Sequence, residues 1–315
     1  MAKSNIFKRI IKYISDPEYR FNVNKRKFSR YDNLSDEKYI KKQFKAVFGY
    51  RLDLDDPKTY NEKLQWLKLY DRKPLYTKLV DKYLVREYVK EKIGEEYLIP
   101  ILAVYELAED IDFDALPDEF VLKCNHDSGG LFICKDKSKL TPEKIAEIRE
   151  KLNSSLKRDF YLHSREWPYK DVPRRIIAEK YMEDESEKEL KDYKFYTFGG
   201  KVKAILMTSG RFDKGKTGFD FFDENCQRIE GLKRGKPNSK GEVKLPEKIK
   251  EMIPLAEKLA EGFPHIRVDL YLVNGRIYFG EMTFFAGSGF TKFEPEKWDR
   301  IFGDWIVLPE KIGRI

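Results

Sequence analysis

Residues Val268–Phe284 read VDLYLVNGRIYFGEMTF, two alternating apolar runs on either side of Asn274-Gly275. Asn-Gly between such runs is the strongest short hairpin signal. The two acids, Asp269 and Glu281, make turn parity decisive. A two-residue turn would set Leu272 opposite Ile277 and place Glu281 on one face with Val268, Leu270, Leu272 and Phe279, a carboxylate inside an apolar surface. A three-residue loop, Val273-Asn274-Gly275 with Gly275 left-handed, shifts the pairing by one residue and changes every neighbour. Arg267, Asp269, Glu281 and Thr283 then lie together, with Val268, Leu270, Leu272, Tyr278 and Met282 opposite. The second register avoids an unpaired buried charge and is the one expected.

Two carboxylates at 4 Å repel by about 4 kcal/mol at an effective dielectric of 20, so a cation must lie beside them. Hard oxygen ligands, with His265 the nearest nitrogen donor in the sequence, suit Mg²⁺ or Mn²⁺ shared with nucleotide phosphates. The competing reading is a structural ion network with Arg267 and Lys201. The metal reading is preferred.

Working outward, FVLKCNHDSGGLFICK puts Lys123 in a strand and Gly129-Gly130 in the turn beyond it. Glycines let backbone N–H groups approach an anion and a strand lysine supplies a point charge, so the segment suits phosphate as well as it suits an ordinary hairpin tip. It lacks the P-loop spacing, and a strand, not a helix, comes next. RRIIAEKYMED then carries Glu179 near a strand end and an acidic cluster, Glu183, Asp184 and Glu187. In DYKFYTFGGKVKAILMTSGR, Gly199-Gly200 turns a hairpin, with Lys194 on one arm and Arg211 beyond the other.

The first third reads as mostly helical up to about Lys92, with Gly94 as its stop. From YLIPILAVY onward short β-rich runs take over, interrupted by a helix capped by Thr141-Pro142 and another from Pro246 to Gly262. That pattern is α+β, not a regular βαβ array. Ile6, Phe7, Ile10, Ile11 and Ile14 recur at helical spacing among Lys8, Arg9 and Lys12. The helix reads either as a foot on an anionic membrane or as one packed on the domain, and packing is the preferred expectation.

The chain has 315 residues, 41% hydrophobic, with 62 basic and 54 acidic side chains and a net charge of +8. Interspersed charges favour anionic ligands over a nucleic-acid footprint. Three scattered cysteines, Cys124, Cys134 and Cys226, suggest reduced thiols in a cytoplasmic protein and neither a disulfide framework nor a zinc site. No stretch approaches the roughly 20 apolar residues of a membrane span.

Taken in order, these motifs resemble the ATP-grasp superfamily, and FGEMTFFAGSGF is similar to the ending of its TupA-like branch, associated with teichuronopeptide, capsule and other bacterial surface-polysaccharide clusters. The resemblance runs from about Leu79 to Phe293. It implies a two-lobed ATP-grasp fold with nucleotide between two mixed sheets: a helical region over 1–75, a first lobe over 76–182 and a second over 183–315. By the family pattern Lys123 contacts phosphates under a loop from Asn125 through His126 and Ser128 to Gly129 and Gly130. Glu179, Tyr181 and Met182 hold adenine, Glu183 or Asp184 serves the ribose, and Lys194 is a second phosphate contact. Asp269 and Glu281 become the metal ligands. Thr283 stands where the family has asparagine in Glu-x-Asn, a weaker ligand that puts a second ion in question.

The resemblance implies ATP and Mg²⁺ as cofactors and an ATP-dependent carboxylate–amine ligase working through an acyl phosphate, with Arg211, Arg267 and Lys194 holding the reacting groups. The expected partners are an acidic glycan or uronic acid and an amine such as an amino acid, with no nucleic acid and with the basic N-terminal helix available for the inner membrane surface. The alternatives are a kinase phosphorylating a glycan hydroxyl, a glycosyltransferase using Asp53-Leu54-Asp55 or Asp112-Phe113-Asp114, and a non-catalytic glycan-binding protein.

Overall fold

A computed structural model describes residues 2–184, 191–210 and 217–311. Arg211 and Glu187 lie outside the described residues, as does the side chain of Ile6. The helical first third consists of α1 (Ala2–Ser15), α2 (Pro17–Phe28), α3 (Asp36–Phe48), α4 (Tyr60–Tyr70), α5 (Leu75–Val80) and α6 (Val85–Lys92). Local chemistry sets several of their ends. Asp16 accepts from Tyr19 N–H at the start of α2, Thr59 and Glu62 form a capping box on α4, and left-handed Gly49 stops α3. Ile93 and Gly94 both donate to the Val89 carbonyl, so α6 ends where the sequence indicated.

Two antiparallel sheets come next. Strands β1 (Ile101–Tyr105), β2 (Phe120–Cys124), β3 (Leu131–Cys134) and β4 (Ile176–Lys180) pair in the order β1-β4-β2-β3. Helix α7 (Pro142–Leu156), capped by Thr141, covers this sheet, with Ile148 and Leu152 packed against Phe120 and Leu122. A short α8 (Tyr161–Ser164) leads back to β4.

The second sheet contains β5 (Asp192–Phe198), β6 (Lys201–Ser209) and β7 (Gly218–Asp223), then, beyond the two-residue β8 (Lys233–Arg234), α9 (Ile249–Leu259), β9 (His265–Val273) and β10 (Arg276–Thr283). Its order is β10-β9-β5-β6-β7, and β8 pairs instead with β11 (Phe293–Glu294) ahead of α10 (Lys297–Asp304). Strand β7, GFDFFD, was not expected from the sequence, whose β-rich runs give no strand between Thr208 and the loop at Gly231. Left-handed Gly199 and Gly200 turn β5 into β6 as expected.

The described residues form two apolar clusters. The larger joins α3 and α4 to the five-stranded sheet around Tyr60, Phe195, Ile205 and Phe302, and the smaller lies under the four-stranded sheet. The N-terminal helices thus bury their apolar faces against the second sheet. Helix α1 is the exception: Phe7, Ile10, Ile11 and Ile14 are exposed, against the expectation that this face packs on the domain.

Candidate functional site

The opening hairpin turns on two residues, not three. Arg276 pairs with Val273 across Asn274-Gly275, whose φ values of 49° and 74° make the tight primed turn that suits strand twist. The parity change occurs further along. Phe279 pairs with Leu270, Glu281 pairs with Asp269, and Gly280 is the extra residue between them. A β-bulge inserts one residue and sends the residues beyond it to the other face. Phe279 and Met282, three apart, therefore both face the core with Leu270 and Val268, while Glu281 and Thr283 join Asp269 and Arg267 outside it. Tyr278, expected on the apolar face, pairs with Tyr271 on the other. Glycine is required at the bulge, because a Cβ would lie 2.9 Å from the Tyr271 ring and 3.0 Å from the Asp269 carbonyl oxygen.

On this face Arg267 bridges the acids. Its Nε donates to Asp269 Oδ1 at 2.6 Å, and its Nη2 reaches Asp269 Oδ2 at 2.7 Å, Glu281 Oε1 at 2.9 Å and Thr283 Oγ1 at 3.0 Å. Lys194 donates to the same Asp269 Oδ2 at 2.5 Å and to Asp192. Lys201, named in the ion-network reading, pairs instead with Glu257. Burial pushes the Asp269 carboxyl up, but Arg267 and Lys194 outweigh it and hold the group below the usual carboxylate value. Burial likewise depresses Lys194, and Asp269 and Asp192 reverse the sign.

Two carboxylates and a hydroxyl fit Mg²⁺ in donor type, since this ion keeps several waters and shares phosphate oxygens. Among the described residues no group of three or more His, Cys, Asp or Glu side chains is placed to hold a metal, so such an ion would depend on the nucleotide for much of its shell. Asp269 is 1% exposed and Glu281 44%, which leaves Glu281 the more accessible carboxylate. His265 is no ligand. Its ring bonds the Thr197 carbonyl and the Tyr60 hydroxyl, and burial lowers its pKa to about 3.

The loop after Lys123 is closed by its own acid. Asp127 accepts from Gly130 N–H at 2.9 Å and Gly129 N–H at 3.3 Å through Oδ1, while Oδ2 takes the Ser155 hydroxyl. The two glycine N–H groups expected to face phosphate thus face a carboxylate. Gly130 serves packing, since a Cβ there would meet Ser155 and Cys124. The Asn125 side chain bonds the Pro173 carbonyl and Arg175 N–H, and His126 is buried, leaving Ser128 and Gly129 as the exposed tip. Lys123 pairs with Glu179 at 2.6 Å across β2 and β4.

Beyond β4, Tyr181 and Met182 are half-buried, and Lys135 lies over the Tyr181 ring and pairs with Glu183. Asp184 accepts from Asn274 N–H at 2.9 Å, which ties the connecting segment to the hairpin turn.

Sequence reasoning missed Lys82. It donates to the Asp127 carbonyl at 2.5 Å, and its pKa is lowered by burial against the opposing pull of Glu281, with Lys123 also acting on it. With the Asn125 carbonyl also 3.5 Å from its Nζ, this lysine braces the loop. Its position in a turn capped by Asp81, ahead of α6, was the available signal. Also missed was the brace on the hairpin's exit. Lys68 is buried in α4 and donates to the carbonyls of Ser164 and Ser288, and Ser288, left-handed at φ 54°, donates its hydroxyl to Glu166 at 2.5 Å. Burial brings Lys68 down to about 7, opposed by Glu166, whose own carboxyl burial pushes up. The Asp-x-Asp triplets are local turns, Asp53 and Asp112 each accepting backbone N–H groups two and three residues on.

Two antiparallel sheets thus each present a strand lysine paired with a carboxylate, Lys123 with Glu179 and Lys194 with Asp269. The family pattern described as TupA-like ATPgrasp matches residues 62–307, and the chain belongs to that family. No curated protein matches the sequence. Similar solved structures include the D-alanine–D-alanine ligase of Helicobacter pylori, at 12% identity and TM-score 0.45 over 79% of this chain and 69% of that one. The Bacillus anthracis enzyme of the same name, complexed with ATP, has 17% identity and TM-score 0.38 over 65% and 53%. A RimK domain ATP-grasp protein from Sphaerobacter thermophilus has 12% identity and TM-score 0.41 over 75% and 70%. The chain thus spans about half the length of the Bacillus anthracis ligase.

Proposed function

We propose that this protein binds ATP with Mg²⁺ between a lobe over 76–182 and a lobe over 183–315, and joins a carboxylate to an amine through an acyl phosphate. The observation that carries the reading is the Gly280 bulge, which sets Asp269, Glu281, Thr283 and Arg267 on one polar face in a chain of the ATP-grasp family. Asp269, Glu281 and Thr283 would hold the ion, and the ion would neutralise charge on the transferring phosphoryl group. Lys123, Lys194 and Lys82 would face phosphate oxygens, and Ser128 and Gly129 would cover them once the Asp127 closure opens. Glu179, Tyr181 and Met182 would take the adenine, with Asp184 or Glu183 at the ribose. Arg267, together with Arg211, is assigned to the acyl phosphate or the acceptor acid. The acid we propose is a uronic acid or other acidic sugar of a bacterial surface polysaccharide, the amine an amino acid, and the net charge of +8 suits such an anionic substrate.

Calorimetry with ATP in the presence of Mg²⁺ tests the first half: binding should weaken strongly with EDTA, and no binding of any purine nucleotide ends the reading. Phosphorus NMR with candidate uronic acids and amines tests the second. Phosphate and ADP released only when both acid and amine are present support a ligase, whereas a stable phospho-sugar replaces it with a kinase.

A further inference from the structure

Helix α1 is fixed at its far end and bare along one side. The Tyr13 hydroxyl donates to Asn24 Oδ1 at 2.8 Å and Arg20 donates to the carbonyls of Tyr13 and Ile14, so the corner with α2 is braced. Phe7, Ile10, Ile11 and Ile14, at i, i+3, i+4 and i+7, are nevertheless 66%, 51%, 50% and 68% exposed. Residues at this spacing form one stripe. Lys8, Arg9 and Lys12 are exposed beside it, and the helix contains no acidic residue.

We propose that α1 lies in the surface of an anionic lipid membrane, its apolar stripe among the upper acyl chains and its basic side chains at the headgroups. Four large apolar groups in water on one short helix need a covering surface, and lysine and arginine at the margins select a negative one. A second copy of the chain fits less well, because facing α1 helices would bring Lys8, Arg9 and Lys12 of both copies together. The helix lies on the bilayer and does not cross it: 14 residues span about 21 Å, short of the roughly 30 Å hydrocarbon core. No helix among the described residues is long and apolar enough to cross. This proposal is independent of the nucleotide reading, since no residue of α1 belongs to that site.

Co-sedimentation of the full chain with vesicles tests it. Binding to phosphatidylglycerol-containing vesicles should exceed binding to pure phosphatidylcholine vesicles by at least roughly tenfold and fall in high salt. Ile10→Glu/Ile14→Glu should lose at least about tenfold in vesicle binding, and Lys8→Ala/Arg9→Ala about fivefold per charge removed. Both variants should keep the wild-type melting temperature, since the substituted side chains are exposed. Equal binding to neutral and anionic vesicles, or binding unaffected by either variant, overturns the proposal. So does a concentration-dependent dimer, seen by sedimentation velocity and abolished by Ile10→Glu/Ile14→Glu, in a protein that ignores vesicles.

Discussion

The β2–β3 and β9–β10 hairpins carry comparable chemistry on opposite plans. The first pairs in register from Phe120–Cys134 to Lys123–Leu131, and everything unusual is in its loop, where Asp127 closes on Gly129 and Gly130. The second has the tightest of turns and keeps its irregularity inside the strand, at Gly280. A loop held by hydrogen bonds to one carboxylate can rearrange when a competing anion arrives. A bulge locked between Tyr271 and Asp269 cannot, so the charges on the hairpin are fixed in place while the loop is free to adjust.

The largest effect should come from Arg267. Arg267→Met leaves the buried Asp269 carboxylate with Lys194 as its main counter-charge, and loss of one partner of a buried pair costs about 3–5 kcal/mol. Glu281, largely solvated, adds little to that figure because water screens it. Chemical denaturation should show the loss. The same carboxylate fixes an acid limb. Its pKa is lower folded than the ordinary 3.8, so its stabilisation is complete above about pH 4 and disappears as pH falls through the folded value. Asp269→Asn should flatten that limb in a stability–pH profile, and an unchanged limb would place the acid sensitivity elsewhere.

Next is Gly280→Ala, expected to destabilise by about 1–3 kcal/mol through overpacking against Tyr271 and to weaken Mg²⁺-dependent ATP binding by displacing Glu281. Wild-type stability and binding would show that the bulge is not what sets the carboxylates.

In the other hairpin, Lys123→Ala should weaken ATP by about tenfold, about 1.4 kcal/mol. Glu179→Gln in the same chain should recover stability lost to the unpaired carboxylate without recovering affinity. If affinity returns with stability, Lys123 is a structural partner of Glu179 and the two hairpins differ more than proposed.

The smallest effect belongs to the turn. Asn274→Gly should change stability by less than about 0.5 kcal/mol, because glycine takes a left-handed φ freely. A turn that tolerates change beside a bulge that does not would locate the functional constraint within the strand.

Features encoded by neighbouring residues were legible. The cap at Thr141, the Gly199-Gly200 turn, the presence of a hairpin at Asn274-Gly275 though not its two-residue length, and the change from helical to strand periodicity all arise from side chains acting on backbone within a few positions. The expectation that Asp269 and Glu281 share a face rested on avoiding a buried charge, and the structure has them so. Its route was misread because Gly280 signals a bulge only once Tyr271 packs over it.

The sequence by itself determined the α+β class, the hairpin and its acids, and the family, because these lie in local periodicity and motif order. Only the tertiary structure decided that Arg267 stands between the carboxylates, that Asp127 occupies the glycine N–H groups, that Lys82 donates into the loop at Asp127 and that the α1 stripe is bare. Each depends on which distant surfaces meet. Burial and charge pairing across tens or hundreds of residues are settled by packing the whole chain, and no short window of sequence contains the partner.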